Sequence, residues 1–156
     1  MQIIDKIDKY IVEKLVADGR MSFANIAKDI NLTDVAIKKR LDRLKARGII
    51  KNISAEIDYE VVGFNEMVEL LISIDPEKQA TVVKKLGDIE DIIEVYEVIG
   101  EYNFIAKLIA VDKTNLKELL DAIFAIDGIS KISILTLLKE YKNKKNLPTK
   151  IIQTTF

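Results

Sequence analysis

Residues 5–17 place Ile7, Ile11, Val12 and Leu15 on one side of a turn repeating every 3.6 residues, which predicts an amphipathic helix ending before Gly19. Ser22 is a good N-cap for a second, shorter helix with Phe23, Ile26, Ala27 and Ile30 inward. Asn31 and Leu32 form a tight turn. Thr33 caps a third helix, 34–47, with Asp34 at its positive end and Gly48 as the residue that stops it. From Ile49 to Ile57 apolar and polar residues alternate, which predicts a strand or two. Three short helices followed by such a segment predict a winged helix-turn-helix.

The pattern changes after a joint at 59–64. Residues 65–74 alternate, with Val68, Leu70, Ile72 and Ile74 on one face, as in a half-buried strand. Asp75-Pro76 opens a helix to about Leu86, with proline at its first position. Strands are expected at 92–99 and 103–111, a helix from Thr114 to about Ile126, and a last strand from Ile129 to about Lys139. "LGDIEDIIEVYEV" and "AIDGISKISILTL" form a faint internal repeat, each with a turn between helix and strand. The order βαββαβ is that of a ferredoxin-like domain. The fold class is therefore α+β: a winged helix-turn-helix at 1–58, a linker at 59–64, a ferredoxin-like domain at 65–141 and a basic tail at 142–156. Strands such as IIEVYEVI and FIAKLIAV are apolar on both faces, so one sheet face is expected to meet a partner.

Composition narrows the chemistry. The chain has 156 residues and 49% apolar content, enough for one or two cores. No apolar run approaches the ~20 residues that cross a bilayer. The start, MQIIDKIDKYIVEKL, is too acidic for a signal peptide, and a cytoplasmic protein is expected. There is no cysteine and no histidine, which removes disulfides, thiolate and imidazole catalysis and most zinc sites. No calcium loop is present. No cofactor, metal or enzymatic activity is expected. The richness in Ile, Lys and Glu points to a heat-adapted or AT-rich source.

The net charge of −1 conceals a split. Residues 1–55 carry twelve Lys/Arg against seven Asp/Glu, residues 56–138 carry seven against seventeen, and residues 139–156 five against one. A basic helical domain beside an acidic α/β domain suggests two different partners, the first a polyanion.

On the third helix Ile37, Leu41 and Leu44 form the inward seam, while Val35, Lys39, Asp42 and Ala46 lie opposite, flanked by Lys38 and Arg43. On a lone helix such a stripe is a solvated face. In a helix-turn-helix it faces the major groove of double-stranded DNA. Lys and Arg would neutralise phosphates. Asp34, Val35, Lys38, Lys39 and Asp42 are candidates for base edges, with Val35 suited to a thymine methyl and Asp42 to a cytosine amino group. Asp42 could equally pair within the helix with Lys38 or Lys45. Lys51 is placed to reach a phosphate from the wing. Ser22, Thr33, Arg40 and Arg43 complete the candidate DNA contacts.

Residues 5–58, "DKIDKYIVEKLVADGRMSFANIAKDINLTDVAIKKRLDRLKARGIIKNISAEID", resemble the DNA-binding domain of the Lrp/AsnC, or feast/famine, regulators, including archaeal ones. The residues that carry the likeness are Asp8, "SFANIAKDINLT", Arg40 in "KKRLDRL" and "GII" at 48–50. "VIGEYNFIAKLIAVD" followed by "AIDGI" resembles the family's ligand-sensing domain. The resemblance implies a transcriptional regulator that forms homodimers, often octamers or other higher forms, and senses amino acids or related small molecules. It implies an effector lined by the loop Gly100, Glu101, Tyr102 and Asn103 and by polar residues on the last strand. Asn103 stands where the family often has Asp. It could be a ligand contact or a turn residue that tolerates positive φ. Counting from Gly128, the last-strand positions fall at Ile132 and Ile134. Two isoleucines predict a dry wall, and with it a more apolar ligand, a different amine, or none. The tail "KEYKNKKNLPTKIIQTTF" could touch DNA or a neighbouring subunit, or be a loosely ordered terminus.

Two other functions are compatible with this architecture. Sirohaem decarboxylases share the two-domain build, but their chemistry leans on histidines. A non-specific DNA-architectural protein would need a steep salt dependence without sequence preference.

Overall fold

A computed structural model describes residues 4–142, so the expectations for the tail beyond Lys142 lie outside the described residues. The chain divides into two compact units between Glu56 and Ile57.

The first unit is helical: α1 (Lys6–Ala17), α2 (Phe23–Asp29) and α3 (Asp34–Ala46). Each begins on a side-chain cap. Asp5 accepts from the Asp8 N–H, Ser22 from Asn25 and Thr33 from Ala36, satisfying amides that have no partner in the first turn. Between α2 and α3, Asn31 takes a left-handed φ of 53°, which asparagine tolerates better than most residues. The α3 terminus is a Schellman motif. Gly48 (φ 69°) donates to the Lys45 carbonyl at 2.9 Å, and Ile49 to that of Leu44 at 2.9 Å. Ile11, Leu15, Ile26, Ala27, Ile37, Leu41 and Leu44 form the core, with Ile49 and Ile50 packed beside them.

The expected wing strand is absent: residues 49–58 carry no β-ladder. Alternation needs a second strand to pair with, and no described segment supplies one. Consecutive Ile49 and Ile50 both pack on the helical core, which breaks strand parity. Ile53 and Ile57 remain exposed.

The second unit runs β1 (Glu66–Ile74), a 3-10 turn Pro76–Lys78, α4 (Gln79–Gly87), β2 (Ile92–Glu97), β3 (Phe104–Ala110), α5 (Lys113–Phe124) and β4 (Ile129–Thr136). The proline therefore opens a tight 3-10 turn, and the α-helix starts three residues later than expected. The joint at 59–64 is itself a turn: Phe64 donates to the Tyr59 carbonyl at 2.8 Å, and their rings meet edge to face. The sheet order is β2-β3-β1-β4, antiparallel throughout. Val68, Leu70, Ile72 and Ile74 of β1 are buried beneath Val82 and Leu86 of α4 and Ile123 of α5. Full burial of each such side chain contributes about 1.5–3 kcal/mol, and period-2 alternation is what puts four of them on one face.

Cross-strand partners share a face. Met67, Glu69, Leu71 and Ser73 on β1, Ile105, Lys107 and Ile109 on β3, and Lys131, Ser133 and Leu135 on β4 therefore form the face opposite the helices. A charged chain crosses it: the Lys107 ammonium lies 3.7 Å from both the Glu69 and Glu94 carboxylates. Burial pushes the Glu69 carboxyl above the usual range, Lys107 partly offsetting this.

The turn before β4 needs glycine. Gly128 has φ 103°, and a Cβ there would sit 2.7 Å from the Lys78 Cβ and 2.9 Å from a Val82 methyl. Gly128→Ala should lower the unfolding free energy by about 2–4 kcal/mol through backbone strain and overpacking. Gly87→Ala, with ordinary φ and open space around its Cβ, should change it by less than about 1 kcal/mol. Urea denaturation of the two variants measures the difference.

Candidate functional site

The third helix presents its inward seam as read from the pattern: Ile37, Leu41 and Leu44 are at most 3% exposed. Opposite it, Val35, Lys38, Lys39 and Asp42 are all exposed. Their spacing of i, i+3, i+4 and i+7 makes one continuous face. Asp42 forms neither of the intrahelical pairs open to it, and Lys38 and Lys39 have no ion-pair partner among the described residues. Asp34 accepts from the Val35 N–H at 2.9 Å. Ser22 and Thr33 use their hydroxyl oxygens as helix caps while remaining exposed at the start of each helix of the motif. Lys51 is exposed in the irregular segment that replaces the wing strand.

Arg40 and Arg43 point elsewhere. The Asp8 carboxylate, 1% exposed, accepts from Arg40 Nη1 at 2.7 Å and from Arg43 Nη2 at 2.8 and 3.1 Å. Arg40 also bonds the Asp5 carboxylate at 2.5 Å. Both guanidiniums thus help hold α3 against α1, Arg43 with half of its side chain still exposed. The clue lies on α1: Asp8 falls at i, i+3 and i+7 with Ile11 and Leu15, an acid on an otherwise apolar seam. A buried carboxylate requires cations or donors, and the two arginines supply them. Burial alone would push the Asp5 carboxyl up, but the bonds from Arg40 and the Asp8 N–H outweigh it and hold the group below its ordinary 3.8.

In the second unit the loop Gly100–Asn103 joins β2 to β3. Asn103 does not have a positive φ, and its side-chain amide is bonded within the fold. Its side-chain oxygen accepts from the Ile74 N–H at 2.8 Å and its amide donates to the Ile74 carbonyl at 2.8 Å. The amide thus stands in for one more rung of the β1–β3 ladder. An aspartate could make only the first of these bonds.

The polar last-strand wall also differs from expectation. Ile132 and Ile134 pair with Ile72 and Leu70 and share their face, Ile132 packed on the helix-covered core and Ile134 exposed on the edge strand. The loop side of β4 is formed by Lys131 and Ser133, because a shift of one residue reverses every side chain of a strand. Lys131 bonds the Glu101 carboxylate at 2.7 Å and lies 4.7 Å from the centre of the Tyr102 ring. Its hydrogen bond and charge hold the Glu101 carboxyl below its usual range, and Glu101 and Tyr102 raise the Lys131 ammonium. The loop edge is therefore a charged, aromatic surface, not a dry one. Lys131 was absent from the sequence-derived site; the turn at Gly128 offers no way to count the strand's parity without the β1 register.

Two family models match this chain, the AsnC-type helix-turn-helix domain over residues 4–45 and the Lrp/AsnC ligand binding domain over residues 68–147. The HTH-type transcriptional regulator FL11 of Pyrococcus furiosus is 33% identical over 95% of this chain and 98% of its own length. The HTH-type transcriptional regulator Ptr1 of Methanocaldococcus jannaschii is 27% identical over 94% and 99%. Among solved structures, a feast or famine regulatory protein of M. tuberculosis complexed with L-methionine superposes with a TM-score of 0.84 at 26% identity, covering 92% of this chain and 97% of that one.

Asp8→Asn would leave two guanidiniums facing one neutral amide. The expected loss is about 2–3 kcal/mol, below the ~3–5 of a fully buried broken pair because both arginines reach solvent. Denaturant titration with a helical probe in the first unit reads it. Acid should act in the same direction. The lowered Asp5 group contributes stability that is complete above the unfolded value of 3.8 and is lost as pH falls through the lower folded value.

Proposed function

This chain belongs to the Lrp/AsnC family of HTH-type transcriptional regulators, and from that premise we propose how it acts. It binds DNA as a regulator of transcription, and α3 is the helix that enters the major groove. The observation that carries this is the outer face of α3. Lys38, Lys39 and Asp42 stand exposed there without partners among the described residues, while the arginines of the same helix are turned to Asp8. Unpaired lysines on a capped, rigid helix are available to phosphates and base edges. The contacts assigned to DNA are accordingly Val35, Lys38, Lys39 and Asp42 from α3, with Ser22, Thr33, Asp34 and Lys51 beside them.

The second unit is read as the dimerising and sensing part. The sheet face opposite the helices combines Met67, Leu71, Ile105, Ile109 and Leu135 with the Glu69–Lys107–Glu94 chain. An apolar face with a self-complementary charge pattern suits a second copy of this chain. The M. tuberculosis relative holds L-methionine, and here Glu101, Tyr102, Lys131 and Ser133 offer charged and polar groups that suit the amino and carboxyl ends of an amino acid. With Asn103 bonded to Ile74, the ligand's ammonium would turn to Glu101.

Binding of the purified protein to its own promoter fragment and to random DNA, across a salt series, tests the reading. Promoter preference should persist as salt rises. Lys38→Ala/Lys39→Ala should flatten the salt slope by about 2 if both lysines neutralise phosphates, or cost ~1–3 kcal/mol with altered base preference where one reads a base. Equal, steeply salt-sensitive binding to both DNAs would instead mark a DNA-architectural protein. Sedimentation tests the dimer. Lys107→Glu places a third acid between Glu69 and Glu94, and should convert dimers to monomers without unfolding the sheet.

A further inference from the structure

Val35 is an apolar, β-branched residue with 71% of its surface exposed, in the first turn of α3. It packs on neither hydrophobic core. Valine is a weaker helix former than alanine or lysine, so nothing in the free chain favours it at that position. Its neighbours on the outer face are Lys38, Lys39 and Asp42.

Each of those neighbours can bond a phosphate or a base edge, but Val35 has no donor or acceptor. The one apolar group on a base edge in the major groove is the C5 methyl of thymine. The N-terminal residues of a recognition helix are those that reach base edges. A valine in a helix holds essentially one χ1 rotamer, and the Asp34 bond to its N–H fixes the backbone beneath it. The two methyl groups are therefore set before DNA arrives. Asp8 engages Nη1 of Arg40 and Nη2 of Arg43, which competes with the commonest specific contact, a bidentate arginine on guanine. A larger share of sequence discrimination then falls on contacts such as this one.

We propose that Val35 is a specificity-determining residue that reads a thymine methyl in the operator. The inference rests on α3 being the DNA-reading helix. It adds a term that is apolar and so insensitive to salt, distinct from the lysine terms.

The test begins with selection of binding sites from random duplexes by the full-length protein. Every thymine of the selected site is then replaced, one at a time, by deoxyuridine, which removes only the methyl. At one thymine per half-site the wild-type protein should bind about fourfold more weakly, the worth of one buried methyl-sized group. That ratio should hold across the salt series. Val35→Ala should bind thymine and deoxyuridine sites alike, and Val35→Ser should do the same. Both variants change an exposed residue, and circular dichroism checks that they are folded. A selected site with no deoxyuridine-sensitive thymine, or an unchanged ratio in Val35→Ala, overturns the proposal and leaves the regulator reading intact. Failure to enrich any sequence overturns the regulator reading itself, and this inference with it.

Discussion

A single carboxylate, Asp8, sits 1% exposed where α1 meets α3, and two guanidiniums one helical turn apart close on it. Two apolar helices can slide or roll past each other at little cost, since hydrophobic contact is not directional. A forked, charge-assisted hydrogen-bond set is directional. Arg40 and Arg43 grip Asp8 from adjacent turns, so α3 is fixed both along its axis and about it. Replacing such an ion pair by a well-packed apolar set often leaves stability unchanged or raises it. Its use here is therefore register: it decides which face of α3 turns outward. The exposed row of Val35, Lys38, Lys39 and Asp42 follows from that choice.

Much of this architecture was legible in the residue pattern, and the exceptions share a cause. The α3 seam, the Ser22 and Thr33 caps, the Gly48 stop and the β1 alternation depend on neighbours within a few residues, and all appear where the pattern put them. The wing strand did not, because alternation at 49–57 says nothing about whether a partner strand exists. The facing of Ile132 and Ile134 is not legible in the sequence, because parity depends on a register with β1 that a turn at Gly128 cannot reveal. The bonds of Arg40 and Arg43 to Asp8 are not legible, because charge on a helix looks alike whether it faces water, phosphate or a buried acid. The missing fact was Asp8, more than thirty residues away in sequence.

Internal ion pairs decide where the positive surplus of the helical domain sits. The surplus in residues 1–55 already counts the acids, so pairing Arg40 and Arg43 with Asp5 and Asp8, and Lys14 with Asp29 at 3.2 Å, leaves it unchanged and places it on the other cations. The net field on one domain is modest. Linking two such domains on one DNA would multiply weak single contacts.

The Asn103 brace has an electrical consequence. The helical domain is held in register by ionised groups, so protons and salt reach its geometry directly. The loop at 100–103 is instead held to β1 by an amide, which carries no charge and does not titrate in water. In acid the Asp5 contribution to the helical seam should weaken, while the Asn103 bonds to Ile74 persist. A carboxylate at position 103 would have tied both to the same proton concentration. The amide fastens one end of the loop without charge, while the Lys131–Glu101 ion pair beside it answers to salt and acid.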